Sequence, residues 1–95
     1  MLICRVIGDI VATHKVSGLE NFKFALLEEL DDQLKPTGKK LVAADLMNSG
    51  IDEIVLCVQG SSARQNRETD KKPVDAVVAA IVDTVSARGK TVYKK

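Results

Sequence analysis

The sequence predicts an all-β chain of five or six short strands, folded as a small barrel or sandwich with a short C-terminal strand and one or two short helical turns. Three observations carry that reading. The apolar residues are mostly β-branched, with 12 Val and 6 Ile against 2 Phe, 1 Tyr and no Trp, and stiff β-branched side chains suit a pleated surface. The apolar segments are short and punctuated by turn residues, at Pro36, Thr37 and Gly38, at Asn48, Ser49 and Gly50, and at Gly60. The first segment alternates cleanly, placing Leu2, Cys4, Val6, Gly8, Ile10 and Ala12 on one face.

The first strand is expected from Leu2 to Thr13. Its second face mixes Ile3, Ile7 and Val11 with Arg5, Asp9 and Thr13. A second face that is half apolar needs a cover, which in so small a chain can be another subunit. Gly8 in mid-strand predicts a bulge or a barrel corner. From Phe22 to Leu34 two periods compete. Phe22, Leu26, Leu30 and Leu34 recur every fourth residue, which suits a helix, while Phe24, Leu26, Glu28 and Leu30 fit a period of two. A strand over Lys23 to Leu30 is the expectation.

A turn at Pro36, Thr37 and Gly38 should lead into a third strand, Lys40 to Leu46. A loop from Met47 to Asp52 and a fourth strand, Glu53 to Gln59, follow. Gly60 suits a positive φ, and Ser61 and Ser62 can bond nearby main chain as turn residues. Gln65 to Lys72 is a polar connector. Pro73 and Asp75 can open one helical turn. The run Val77 to Val85 reads as a buried strand, and Gly89 turns the chain into a last short strand, Thr91 to Tyr93.

Composition narrows the function. Fourteen basic and thirteen acidic residues leave a net charge of +1, where a nucleic-acid binder normally carries a basic excess or stripe. Three aromatics also equip an OB-type barrel poorly for stacking bases. That rival stays open beside a small enzyme or enzyme subunit. No stretch approaches the ~18 apolar residues of a membrane span, and Arg5 and Asp9 interrupt the N-terminal apolar run, against a signal peptide. A cytoplasmic protein without membrane contact is expected. Cys4 and Cys57 lie in apolar runs without a CxxC spacing and read as reduced core residues.

Candidate chemistry is thin. His14 is the one histidine, and one histidine with two separated cysteines makes no zinc site. Ser62 is flanked by Gly60 and Arg64, where a nucleophile elbow needs glycine on both sides. Asp52 and Glu53 are adjacent, so an extended chain would point them to opposite faces. No glycine-rich phosphate loop is present. No catalytic residue, cofactor or metal is expected.

The order of several weak markers is more specific than any one of them. Gly8, Thr13 and Lys15 come first, then Asp45, Gly50, Glu53, Val55 and Leu56. Gly60, Ser61, Ser62, Ala63 and Arg64 follow, then Pro73, Val74, Asp75 and Ile81, Val82, Asp83. On these residues the chain resembles the bacterial microcompartment vertex proteins, the ethanolamine-utilisation and carboxysome pentamer family. The resemblance implies one small five-stranded OB-like barrel domain over residues 1–95, with a short C-terminal strand, and a homopentamer. It would cap the vertices of a polyhedral shell in the bacterial cytoplasm, beside hexameric shell proteins, as a structural part and not an enzyme. It marks Thr13, Lys15, Asn48, Ser49, Gly50, Gly60, Ser61, Ser62, Arg64 and Asp75 as subunit-interface or loop-shaping positions. Where the family commonly has a GAGxGE loop, this chain has Asn48 and Asp52 in place of two glycines. Both residue types tolerate left-handed φ well.

Overall fold

A computed structural model describes residues 1–13, 15, 17–19, 22–60 and 75–95. Five strands close a barrel: β1 (Leu2–Ile10), β2 (Phe24–Leu30), β3 (Pro36–Asp45), β4 (Ile54–Gln59) and β5 (Ala76–Ile81). Their order around the wall is β1-β2-β3-β5-β4, with β4 paired back onto β1. All neighbours are antiparallel except β3 and β5, which run parallel through Ala44 opposite Val77 and Asp45 opposite Val78. Outside the barrel, β6 (Thr84–Ala87) and β7 (Lys90–Lys94) form a separate hairpin.

Alternation along each strand sets the inside of the barrel. Cys4 and Val6, Ala25 and Leu27, Ala43, Val55 and Cys57, and Ala76 and Val78 form one buried cluster, with Leu2, Leu41 and Ile81 packed at its margin. A barrel of this size has room inside only for side chains, and most of these are small. Leu27 is the largest fully buried one, and its burial contributes about 2 kcal/mol. The opposite phase of β2, β3 and β5 points outward. There Ala44 and Val77 are covered by Leu19, Phe22, Phe24, Leu46 and Val58 in a second cluster. The aromatic rings therefore lie outside the wall.

The period-two reading of β2 holds, and the inward face is the one that carries Ala25 and Leu27. Ala25 and Leu27 are buried, whereas Phe24, Leu26 and Glu28 are half-buried on the outer face. A bulge between Glu28 and Leu30 brings Leu30 inward. A second bulge falls between Val6 and Gly8 in β1, at the mid-strand glycine. Past it the inward face ends, and Ile10 and Ala12 are exposed.

Three expectations need correction. Pro36, Thr37 and Gly38 belong to β3, not to a turn. The turn lies earlier, where the Asp31 carboxylate accepts the amides of Gln33 (2.8 Å) and Lys35 (3.0 Å) and Leu34 takes φ 62. Those two amides, Lys35 first, hold the Asp31 carboxyl below its ordinary pKa. An Asx-type turn of this kind builds the reversal before the proline is reached. Proline is then tolerated as the first residue of its strand. Second, the run Val77 to Val85 is broken at Val82 and Asp83 and supplies both β5 and β6. Third, the last strand is not alone: β7 pairs with β6, Val85 opposite Tyr93. Asp75 is a bend and Pro73 lies outside the described residues, as do His14 and the connector Gln65 to Lys72.

Cys4 and Cys57 are both free and fully buried. Burial pushes the Cys4 thiol up to about 12, helped by the neighbouring Cys57. Burial raises Cys57 as well. The thiolate is the reactive form. Native labelling with a maleimide at pH 7.5 is therefore expected to be very slow at both, and fast only after denaturation. Rapid labelling of the folded protein would contradict the inward orientation of β1 and β4.

Candidate functional site

The end of β1, the start of β2 and the loop from Asp45 to Glu53 enclose a cleft of about 240 Å³ at one end of the barrel. Val6, Gly8, Phe24 and Ala25 supply its apolar lining, and Asp9, Lys23, Asp45, Ser49 and Gly50 its polar one. Asp45 organises the loop. Its side chain is buried at the end of β3, and one carboxylate oxygen accepts the Met47 amide (3.1 Å). The other accepts both the amide (2.9 Å) and the hydroxyl (2.8 Å) of Ser49. A buried carboxylate is tolerated when its lone pairs are filled in this way. The Asp45 amide in turn donates to the Lys23 carbonyl at 2.7 Å, fixing the loop against the start of β2.

The rest of the loop is held from the other side. The Asp52 amide donates to the Val6 carbonyl (2.8 Å), and the Val6 amide donates to the Glu53 carbonyl (2.9 Å). Asn48 sits at φ 55 and Asp52 at φ 70, so both substitutes for glycine occupy the left-handed region they tolerate. Asn48 also accepts a 2.8 Å bond from the Lys23 ammonium, which a glycine could not. The Glu53 carboxylate accepts the Gly50 amide and pairs with Lys95 at 2.7 Å. Lys95 first, and then the Gly50 amide, hold the Glu53 carboxyl below its ordinary pKa, and Glu53 raises that of Lys95. This pair ties the far end of the β6–β7 hairpin to the loop. The hairpin's turn is tied separately, by Arg88 to Asp32 at 3.2 Å.

The positions singled out in the sequence fall into two groups. Asn48, Ser49 and Gly50 lie in the loop, and Lys15 stands by the start of β2. The Lys15 ammonium donates to the Phe22 carbonyl (3.4 Å) and lies 5.7 Å from the centre of the Phe24 ring, within cation–π range. Thr13 is exposed at the bend after β1. In the second group, Gly60 takes φ 67 and its amide donates to the Asp75 carbonyl at 2.7 Å, so the chain leaves β4 and returns to β5 at one point. Ser61, Ser62 and Arg64 lie outside the described residues.

Asp45, Lys23 and Glu53 were not among the expected site residues, although they hold the loop. The available signal was the Asp45-to-Ser49 spacing at a strand end, an aspartate able to accept amides two and four residues on. Chemically, the carboxylates of Asp45 and Glu53 and the Lys23 ammonium are occupied in fixing shape. Among the described residues no three His, Cys, Asp or Glu side chains are grouped to hold a metal.

Two outcomes follow from this geometry. Asp45→Ala leaves the Ser49 amide and hydroxyl without their acceptor and should lower stability by about 2 kcal/mol, or about 10 °C in Tm. Asp45→Asn should recover part of the loss; unchanged thermal unfolding of Asp45→Ala would remove Asp45 from this role. The Glu53–Lys95 tie should be complete near neutral pH. The Glu53 contribution is present above its unfolded pKa and is lost as pH falls through the lowered folded value. The Lys95 contribution is present below its unfolded pKa and is lost as pH rises through the raised one. Amide protection in β6 and β7 should therefore fall on acidification below about pH 4 while the barrel stays protected. In Lys95→Ala that pH response should be smaller, with the Arg88–Asp32 pair left as the remaining carboxylate tie.

A family model described as ethanolamine utilisation protein EutN/carboxysome matches residues 1–83. The bacterial microcompartment shell vertex protein EutN of Salmonella typhimurium is 43% identical over 95 residues, covering 100% of this chain and 96% of that protein. The solved structure of Gloeobacter violaceus CcmL superposes with a TM-score of 0.95 at 43% identity, covering 100% of this chain and 98% of that one. GrpN, a pentameric microcompartment shell protein from Rhodospirillum rubrum, superposes with a TM-score of 0.84 at 38% identity. It covers 92% of this chain and 99% of its own. The chain belongs to the EutN/CcmL family of microcompartment shell vertex proteins.

Proposed function

We propose that five copies of this chain close into a ring that caps the vertices of a bacterial microcompartment shell, in the cytoplasm and among hexameric shell tiles. The observation that carries this reading is the extent of the likeness. A shell vertex protein aligns along the whole chain, and a pentameric shell protein shares its barrel. The physical logic is closure: a head-to-tail contact whose rotation closes after five copies makes a ring instead of a filament. Five-fold symmetry then supplies the curvature that flat six-fold tiles lack. Function in such a part lies in shape and contact surfaces, and the loop at Asp45 to Glu53 is built to hold shape. The role is structural rather than catalytic, with no call on nucleic acid, membrane or cofactor. Thr13, Lys15, Asn48, Ser49, Gly50, Gly60, Ser61, Ser62, Arg64 and Asp75 are the positions we assign to the contacts between subunits or to the loops that shape them.

Native mass spectrometry at micromolar concentration tests it. A species of five copies of the 10.3 kDa chain is expected. A monomer would overturn the assignment, and a six-fold species would keep the family and remove the vertex role. Co-expression with a hexameric shell protein should give closed polyhedral particles, whereas omitting this chain should leave them open or tubular.

A further inference from the structure

We infer that Cys4 and Cys57 form a two-coordinate site for a soft monovalent cation, with copper(I) as the type case, inside the wall of the barrel. They are the two cysteines of the chain, and both are fully buried in the main cluster. They stand on β1 and β4, the pairing that closes the barrel. Cys57 lies opposite Leu2 and Cys4 opposite Val55, so the two are diagonal neighbours on one inward face. The site is independent of the pentameric reading.

Spacing decides what such a pair can do. Diagonal neighbours across an antiparallel pair stand about 7–8 Å apart. A disulfide spans no more than about 7 Å between Cα atoms without moving the backbone. A metal ion lengthens the bridge, because two bonds of about 2.3 Å set the sulfurs about 4.6 Å apart. The register therefore suits an S–metal–S bridge and resists an S–S bond. Two ligands are too few for structural zinc, which takes four, and among the described residues no group of three His, Cys, Asp or Glu forms. Soft thiolates select copper(I), a closed-shell ion that is satisfied by two ligands in a line.

The surroundings fit that ion. Leu27, Val55 and Val78 share the cluster and keep water from completing a larger coordination shell. Burial is the main force against both thiolates in the metal-free protein. Against it, the Val77 amide donates to the Cys57 sulfur, and the charges of the amino terminus and Lys39 favour the Cys57 thiolate. Lys39 acts on Cys4 in the same sense, opposed by Glu29. Coordination settles the balance, because a ligating thiol is deprotonated outright. Each thiol gives one proton to solvent, no electrons move, and a singly negative bridge staples β1 to β4.

Anaerobic refolding with one equivalent of a copper(I)–glutathione complex tests this, since the unfolded chain gives the ion access to both thiols. After desalting, native mass spectrometry should find one copper per chain in the parent. None should remain in Cys4→Ala or Cys57→Ala folded to the parent's circular dichroism. The loaded parent should melt about 10 °C above the metal-free one. A copper-free parent would overturn the site, and so would copper retained by either variant. Two measurements need no variant. The loaded parent should show an ultraviolet charge-transfer band from thiolate to copper; bound copper without that band would place the ion elsewhere and overturn the site. Diamide, which takes two electrons and two protons from a pair of thiols, should leave both cysteines of the folded metal-free parent free for labelling after denaturation. A Cys4–Cys57 disulfide formed under those conditions would overturn the spacing on which the site rests.

Discussion

The narrow bore of a five-stranded barrel is the constraint from which the rest of this chain follows. Strands that close on one another leave an interior only as wide as paired side chains can fill. The inward positions of the main cluster are accordingly Ala, Val and Cys, with Leu27 as its largest fully enclosed residue. The same limit explains the composition, rich in Val and nearly free of aromatics. It also explains where the two Phe go. Phe22 and Phe24 pack against the outer face of β3 and β5, beside the cleft rather than in the core. Placing large rings outside the wall builds up one end of the barrel and gives the cleft its apolar side.

Much of this was legible in the residues. Strict alternation in β1, the β-branched runs of β4 and β5, and the glycine at the β1 bulge each dictate local structure through sterics. The resemblance to vertex proteins supplied what periodicity left open, above all that Phe24 to Leu30 is a strand. The parts that were not legible share a physical cause. Pro36 and Gly38 look like a turn because they are turn residues, but Asp31 captures two amides before them and reverses the chain first. Leu34 then takes a left-handed φ, which nothing about leucine announces. Likewise, the break at Val82 and Asp83 is announced in the apolar run only by one acidic residue and the threonine after it. Side chain to backbone bonds of this kind depend on which donors are free, and that is a property of the fold.

The loop from Asp45 to Glu53 was legible in outline and not in mechanism. Its small and polar residues announce a shaped segment, and Asn48 and Asp52 stand at positive φ. That a buried aspartate holds it together, with a glutamate tied to the C-terminal lysine at its far side, emerges only when β3, β4 and the hairpin are placed in space. The two carboxylates divide the work. Asp45 is buried and acts within the loop, while Glu53 stands nearer the surface and links the loop to an element outside the barrel.

The bond from the Gly60 amide to the Asp75 carbonyl has a consequence for the length of chain the barrel can carry between β4 and β5. Gln59 pairs with Ala76 immediately inside it, so the barrel is clamped shut at the point where the intervening segment departs. The bond holds the two ends of the connection together, so its length weighs little on closure. Doubling the number of residues between them would cost only about 0.6 kcal/mol in closure entropy, and the pairing of β4 with β5 can carry a longer connection at this point.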